Sequence, residues 1–262
     1  MLLSRSLRFL IPEPSAGQRN GWSGGPLGAA TAWAGEVTLA VVGEPDPRTG
    51  FLCDIKALDA TLLQGLRSVG DPLNGWFAWL HALAAKLRAL DLPARPVFLT
   101  LRLGTGIELT IDPTTESAMH YTEQFEFSAA HRLHVASLTD EENVALFGKC
   151  NNPNGHGHNY VVDVTIEVSD PACPGVAPTP VCLAEVVRRE VIDRYDHRHL
   201  NLDVADYSTL NPTVENITAT VFQRLAATPE LGGHLLRVRV HETAKTWAEV
   251  VREDQRYSGS SG

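Results

Sequence analysis

NYVVDVTIEV (Asn159–Val168) is the stretch on which the fold turns. It alternates in places and is rich in β-branched residues, the signature of a strand. A counterpart, EVTLAVVGE (Glu36–Glu44), lies in the first half of the chain. Each is followed by a turn, PDPRTG in the first half and the Pro-rich DPACPGVAPTP in the second. Beyond each turn the apolar residues take helical spacing, in CDIKALDATLLQGL and in CLAEVVRREVID, where Val187, Val191 and Ile192 share one helix face. A second helix is predicted next in both halves, over WFAWLHALAAKLRAL and TVENITATVFQRLAA. Two strands then close each half: PVFLTLRL with IELTID, and LLRVRVHE with TWAEVV.

An opening strand precedes each of these series, MLLSRSLRFLIPEP in the first half and FSAAHRL in the second. The order is therefore strand, strand, helix, helix, strand, strand, twice over. That order predicts an α+β unit, an antiparallel four-stranded sheet with two helices on one face. Repetition at half the chain length points to duplication and fusion. The turn-forming, polar PTTES (Pro113–Ser117) marks the boundary. The expected domains are 1–116 and 117–257, with the polar tail SGSSG (258–262) left outside the fold.

The 262 residues are 44% hydrophobic, enough for two cores, and carry a formal charge of -9. That balance argues against a nucleic-acid binder, which needs a basic face. No apolar run reaches the ~20 residues of a membrane span, and the N-terminal apolar patch reads as a strand because it lacks a signal peptide's h-region and cleavage site. Cys53, Cys150, Cys173 and Cys182 form no Cys-x-x-Cys pair and are too few for a disulfide scaffold, so a reduced, cytoplasmic setting is expected.

Nine of the ten histidines lie from residue 120 onward, which concentrates the chemistry in the second half. His131 ends a strand-like stretch, and CNNPNGHGHNY places His156 and His158 where another strand begins. Residues two apart on a strand project from the same face, so a neighbouring strand carrying His131 completes a triangle of imidazoles. Three neutral nitrogens and one open position make the usual catalytic zinc site. All-nitrogen ligation also accepts iron, cobalt or nickel.

FSAAHRL, DEENVALFGKCNNPNGHGHNY, YDHRHLNLD, NPTVENIT and VHET, in that order, resemble the 6-pyruvoyl-tetrahydropterin synthase / 6-carboxytetrahydropterin synthase family from about Tyr121 to Val251. The resemblance implies two tandem tunnelling-fold (T-fold) domains, the first degenerate. It implies Zn2+ on His131, His156 and His158, with Cys150, Asp196 and His197 catalytic, the Asp-His pair coming from a neighbouring subunit. Glu242 would anchor the pterin ring, with Thr213 and Glu215 as further pterin contacts. The six-position step from Cys150 to His156 resembles the pyruvoyl-forming branch, and Cys150 argues against the aldolase branch, which has Glu there.

The activity so implied converts 7,8-dihydroneopterin triphosphate to 6-pyruvoyl-tetrahydropterin with loss of triphosphate. The alternatives are a 6-carboxytetrahydropterin synthase of queuosine biosynthesis or a pterin-binding protein without turnover. A thiol titrates near ~8.5, so Cys150 needs positive neighbours such as Lys149 and the metal to act as a base. His134, His199, His234 and His241 are expected in surface or core roles, and Trp76 and Trp79 in the core or an interface. The first half has NGWSGGPLGAATAW where the second has CNNPNGHGHNY, with neither cysteine nor histidine. It is expected to be structural. The implied assembly is a homo-oligomer, a trimer of two-domain chains or larger, whose small-molecule partner is the pterin.

Overall fold

The computed structural model describes residues 1–11, 33–70, 72, 75–104, 106–114, 119–168 and 177–252. Cys173, most of the boundary segment and the tail 258–262 lie outside these residues. The chain parts into two compact units, one on Met1–Tyr121 with Val168–Gly175 and one on Thr122–Glu167 with Val176–Gly262.

In the first unit, Leu2–Ile11 (β1) and Trp33–Val42 (β2) pair antiparallel, Leu2 facing Val42. Ile55–Val69 (α1) and Trp76–Arg88 (α2) follow, then Arg95–Leu103 (β3) and Ile107–Ile111 (β4). The sheet order is β1-β2-β3-β4, every pair antiparallel. The core holds Leu7, Val37, Leu39, Leu99, Leu101 and Leu109 from the strands with Leu58, Leu62, Leu80, Leu83 and Leu87 from the helices. Asp54 caps α1 by accepting from the Lys56 amide, satisfying one of the free N–H groups at a helix start. At Gly65 a Cβ would lie 2.9 Å from Leu87, so the small residue lets α1 approach α2. Trp79 is buried and stacks on Phe9, its ring centroid 5.3 Å away, while its indole N–H donates to the Gly70 carbonyl.

The second unit begins with Met119–His131 (β5), Asp140–Phe147 (α3) and a 3-10 turn at Gly148–Asn151. It continues with His156–Val168 (β6), then Pro180–Val187 (α4). Helix α4 runs into a π turn at Arg188–Ile192 and a single helical turn, Asp193–Tyr195 (α5). Short elements follow at Arg198–His199 (β7), Leu200–Asp203 (α6) and Ala205–Tyr207. Val214–Ala226 (α7), Leu235–Thr243 (β8) and Thr246–Val251 (β9) complete it. The sheet order is β5-β6-β8-β9, and β7 adds a short parallel pairing to β5. Thr122 bonds Thr165, Gln124 bonds Asp163 and Ser128 bonds Asn159, the falling register of antiparallel neighbours. The alternation of NYVVDVTIEV is realised: Tyr160, Val162, Val164, Ile166 and Val168 are buried, as are Val187 of α4 and Val221 of α7. No helix among the described residues is long and apolar enough to cross a membrane.

Three features depart from the sequence reading, the short β7 among them. The expected single helix over 182–193 contains the π turn, which inserts an extra residue and re-aims the chain before Asp196. Helix α3 was not foreseen, although Thr139 and Glu142 form a reciprocal capping box.

Tyr195 and Asp206 tie this bent helix down. The Tyr195 hydroxyl donates to Asp206 at 2.9 Å, and Arg224 of α7 donates to both Asp206 oxygens. Burial alone raises the Asp206 carboxyl, but the hydrogen bonds from Arg224 and Tyr195 outweigh it and hold the group below its ordinary range. A depressed folded-state pKa stabilises above the unfolded value of ~3.9 and is lost as pH falls through the folded value. Asp206→Asn is therefore expected to cost roughly 2 kcal/mol at pH 7, allowing for partial solvent screening of the arginine. Denaturant melts should show the gap from wild type closing below about pH 4. A gap that does not narrow in acid would mean that the charge is not what matters.

Candidate metal centre

Strand β5 ends on His131, and β6 starts with His156 and His158. His131 is 0% exposed, and the ring nitrogens of the three histidines lie within 4.8 Å of one another. His131 Nε2 is 3.1 Å from His156 Nε2, near the ~3.3 Å that separates two nitrogens bound tetrahedrally at zinc distances. His156 Nδ1 and His158 Nε2 are buried without a hydrogen-bond partner. Buried polar nitrogens left without partners are costly, and a cation shared with His131 Nε2 and His156 Nε2 removes that cost at His158 Nε2. The residues present fit a metal.

The surroundings fix the protonation of the donors. His131 Nδ1 lies 2.7 Å from the Pro212 carbonyl, which can only accept, so Nδ1 carries the proton and Nε2 keeps its lone pair. Burial pushes His131 down to about 4, against the pull of the Pro212 carbonyl, and the nearby His156, His158 and His199 add to the effect. Burial and His158 also lower His156. Both rings are thus neutral at neutral pH, as ligands must be. Tyr160, fully buried and stacked on Phe127, brings its hydroxyl within 3.3 Å of His131 Nδ1. Burial raises that hydroxyl well above its ordinary range, so it stays protonated.

Sequence reading missed this supporting shell. The Pro212 carbonyl is held by its neighbours: Asn216 donates its side-chain amide to the Asn211 carbonyl at 2.8 Å, and the Asn211 side chain accepts from the His134 amide. Beyond His131, Asn201 clamps both backbone groups of Arg132 and Asn151 accepts from the Arg132 and His134 side chains. The signal was the asparagine in each motif, whose side chain carries both a donor and an acceptor.

Glu242, near the end of β8, is turned onto the cluster. Its Oε1 stands 3.5 Å from His131 Nε2 and 3.7 Å from His158 Nε2. Cys150 sits in the 3-10 turn, a free thiol lining a cleft with Lys149, Asn151, Pro153 and His156. Its carbonyl accepts from the Leu133 amide, tying the turn to the segment just past His131. Thr213 caps α7, its hydroxyl accepting from the Asn216 amide, and Glu215 is exposed in the first turn of that helix.

Asp196 and His197 lie on the edge of β5, and His197 lines, with Ser128, His158 and Asn159, a different cleft from that of Cys150. Asp196 caps the helix end in extended conformation, and His197 takes a φ of 58°, so two successive residues turn to one another as no regular strand allows. His197 Nδ1 is 2.8 Å from Asp196 Oδ2, while Asp196 Oδ1 accepts from the Ser128 amide. That amide, then His197, holds the Asp196 carboxyl below its ordinary range. The His197 side chain is 83% exposed and its Nε2 is free to meet another molecule.

Of the histidines expected to be bland, His241 bonds Asp163 on the neighbouring strand and His134 joins the Asn151 shell. His199 is different, because its ring lies against the turn that leads into His156. Among the described residues, the three histidines of the second unit are the cluster competent to hold a metal.

The second half of the chain is similar to known proteins. The sequence model described as 6-pyruvoyl tetrahydropterin synthase matches residues 120–253. The human 6-pyruvoyl tetrahydrobiopterin synthase is 38% identical over 122 residues, 47% of this chain and 83% of that protein. Its Dictyostelium discoideum namesake is 34% identical over 122 residues, 47% of this chain and 87% of that one. The solved structure of Caenorhabditis elegans 6-pyruvoyl tetrahydropterin synthase is 38% identical, with a TM-score of 0.45, covering 51% of this chain and 94% of that one. By the extent of the sequence match, the chain belongs to the 6-pyruvoyl tetrahydropterin synthase family.

Proposed function

We propose that the chain is a zinc-dependent lyase that converts 7,8-dihydroneopterin triphosphate to 6-pyruvoyl-tetrahydropterin with elimination of triphosphate. The observation that carries this reading is the triangle of buried His131 with half-buried His156 and His158, with Glu242 on one side and the Cys150 cleft against His156. Zinc held by these histidines would supply Lewis-acid polarisation of the substrate's side-chain oxygens. The Glu242 carboxylate offers two acceptors to the amino and ring N–H edge of a pterin. Cys150 takes the proton from the adjacent carbon, with Lys149 as its positive neighbour. His197 moves that proton onward: the Asp196 carboxylate holds the Nδ1 proton, so Nε2 is the working base. Thr213 and Glu215 contribute the pterin contacts at the start of α7, Thr213 while also capping the helix.

Within one chain, His197 and Cys150 line separate clefts. The reading therefore has a neighbouring copy donate the pair, in a homo-oligomer of two-domain chains, at least a trimer, in the cytoplasm. The first unit then serves as a degenerate copy with a structural role, and the T-fold describes both. One experiment tests the whole: the purified protein, sized by light scattering, is incubated with dihydroneopterin triphosphate and the products are weighed by mass spectrometry. A pyruvoyl pterin and free triphosphate from an oligomer are expected. A carboxypterin would move the chain to the other branch of the family. No product, or turnover by a monomer, would overturn the proposal.

A further inference from the structure

We propose that His199 is a positioning residue that joins the Asp196–His197 segment to the strands carrying the metal ligands. The argument rests on reading His131, His156 and His158 as those ligands. Residues 196–199 run along β5 as a bracket. At one end the Ser128 amide donates to Asp196 and the His197 amide donates to the Ser128 carbonyl. At the other, β7 pairs parallel with β5, Arg198 facing Ala129 and His199 facing Ala130, one residue short of His131. From this bracket His199 reaches the turn that enters β6.

Its ring seats on Gly155, the residue just before His156. A Cβ on Gly155 would lie 2.6 Å from His199 Nε2 and 3.1 Å from the His131 carbonyl oxygen, and the glycine has a φ of +74°. The imidazole thus occupies the space that a side chain at 155 would need, with the His131 backbone on the other side. The Gly155 amide closes the turn on the Asn152 carbonyl, so the ring walls in a tight turn whose next residue is a ligand. His199 is itself held, its amide donating to Asp203 at 2.7 Å. Its Nδ1 is buried with no hydrogen-bond partner. No hydrogen bond at Nδ1 rewards that burial, and what the ring does make is its packing against Gly155. The pair meant for a neighbouring copy and the metal ligands of the same chain are thereby fixed by one side chain.

The test is a double-mutant cycle on the full chain, stripped of metal and titrated with Zn2+ against a chromophoric chelator. His199→Ala is expected to weaken zinc 10- to 100-fold, the usual range for a residue supporting the ligands. His199→Gln, which keeps part of the reach, should recover some of that loss. Gly155→Ala should weaken zinc because its methyl displaces the ring. In the double variant the clash with the ring is gone, so the combined loss should be smaller than the product of the single losses, while the close approach to the His131 carbonyl and the positive-φ strain remain. Amide exchange at Ser128 and His197 should slow on zinc binding in wild type and not in His199→Ala. Multiplicative losses, or zinc binding indifferent to His199, would overturn this inference while leaving the ligand assignment standing. A wild-type chain that takes up no zinc would overturn both.

Discussion

His131→Ala is expected to leave the folded protein without its metal and without turnover. Replacing a residue that merely supports a ligand costs 10- to 100-fold in metal affinity. His131 supplies a donor nitrogen itself, so its loss should exceed that range, on the order of 10³-fold or more. Its ring is fully buried, and its Nδ1–H is committed to the Pro212 carbonyl, so the variant loses a donor held in a fixed orientation. The variant also leaves that carbonyl without a donor, and a modest fall in melting temperature should accompany the loss. Metal analysis of purified wild type and variant, side by side with the product assay, checks both parts. A variant that keeps one equivalent of tightly bound metal would show that the three histidines are not the ligand set.

Cys150→Ala is expected to separate chemistry from binding. Removing a general base lowers turnover by about 10²- to 10⁴-fold, and the zinc affinity of this variant should match wild type, because the thiol lies outside the histidine triangle. The fold should survive, since the group of Cys150 that holds the 3-10 turn to Leu133 is its backbone carbonyl, which alanine keeps. Single-turnover rates and zinc titration on the same preparation provide the readout. Unchanged turnover would remove Cys150 from the mechanism, and lost zinc would make it a ligand.

These two outcomes differ because the three histidines and the cysteine reach the site by different routes. Strand periodicity alone puts His156 and His158 on one face of β6, and the same alternation buries Tyr160 beneath them. The element order of the first unit was legible for a similar reason: patterns such as WFAWLHALAAKLRAL and IELTID have one period each and fill one face of a core. The π turn at 188–192 was not legible, because its residues keep good helical spacing and the extra residue is set by how Tyr195, Asp206 and Arg224 meet. The short β7 was missed because two residues carry no period at all.

By itself, the sequence determined the strand-and-helix order, the three histidines as a set, and the family, since these depend on local spacing and on the order of motifs along one chain. Only the tertiary structure decided which groups hold those histidines in place. The Pro212 carbonyl 81 residues from His131, the Glu242 carboxylate on β8 and the His199 ring on Gly155 are brought to the site by long-range packing. Such contacts leave no periodic trace, because the free energy that makes them comes from burying the core around them and not from the propensities of the residues themselves.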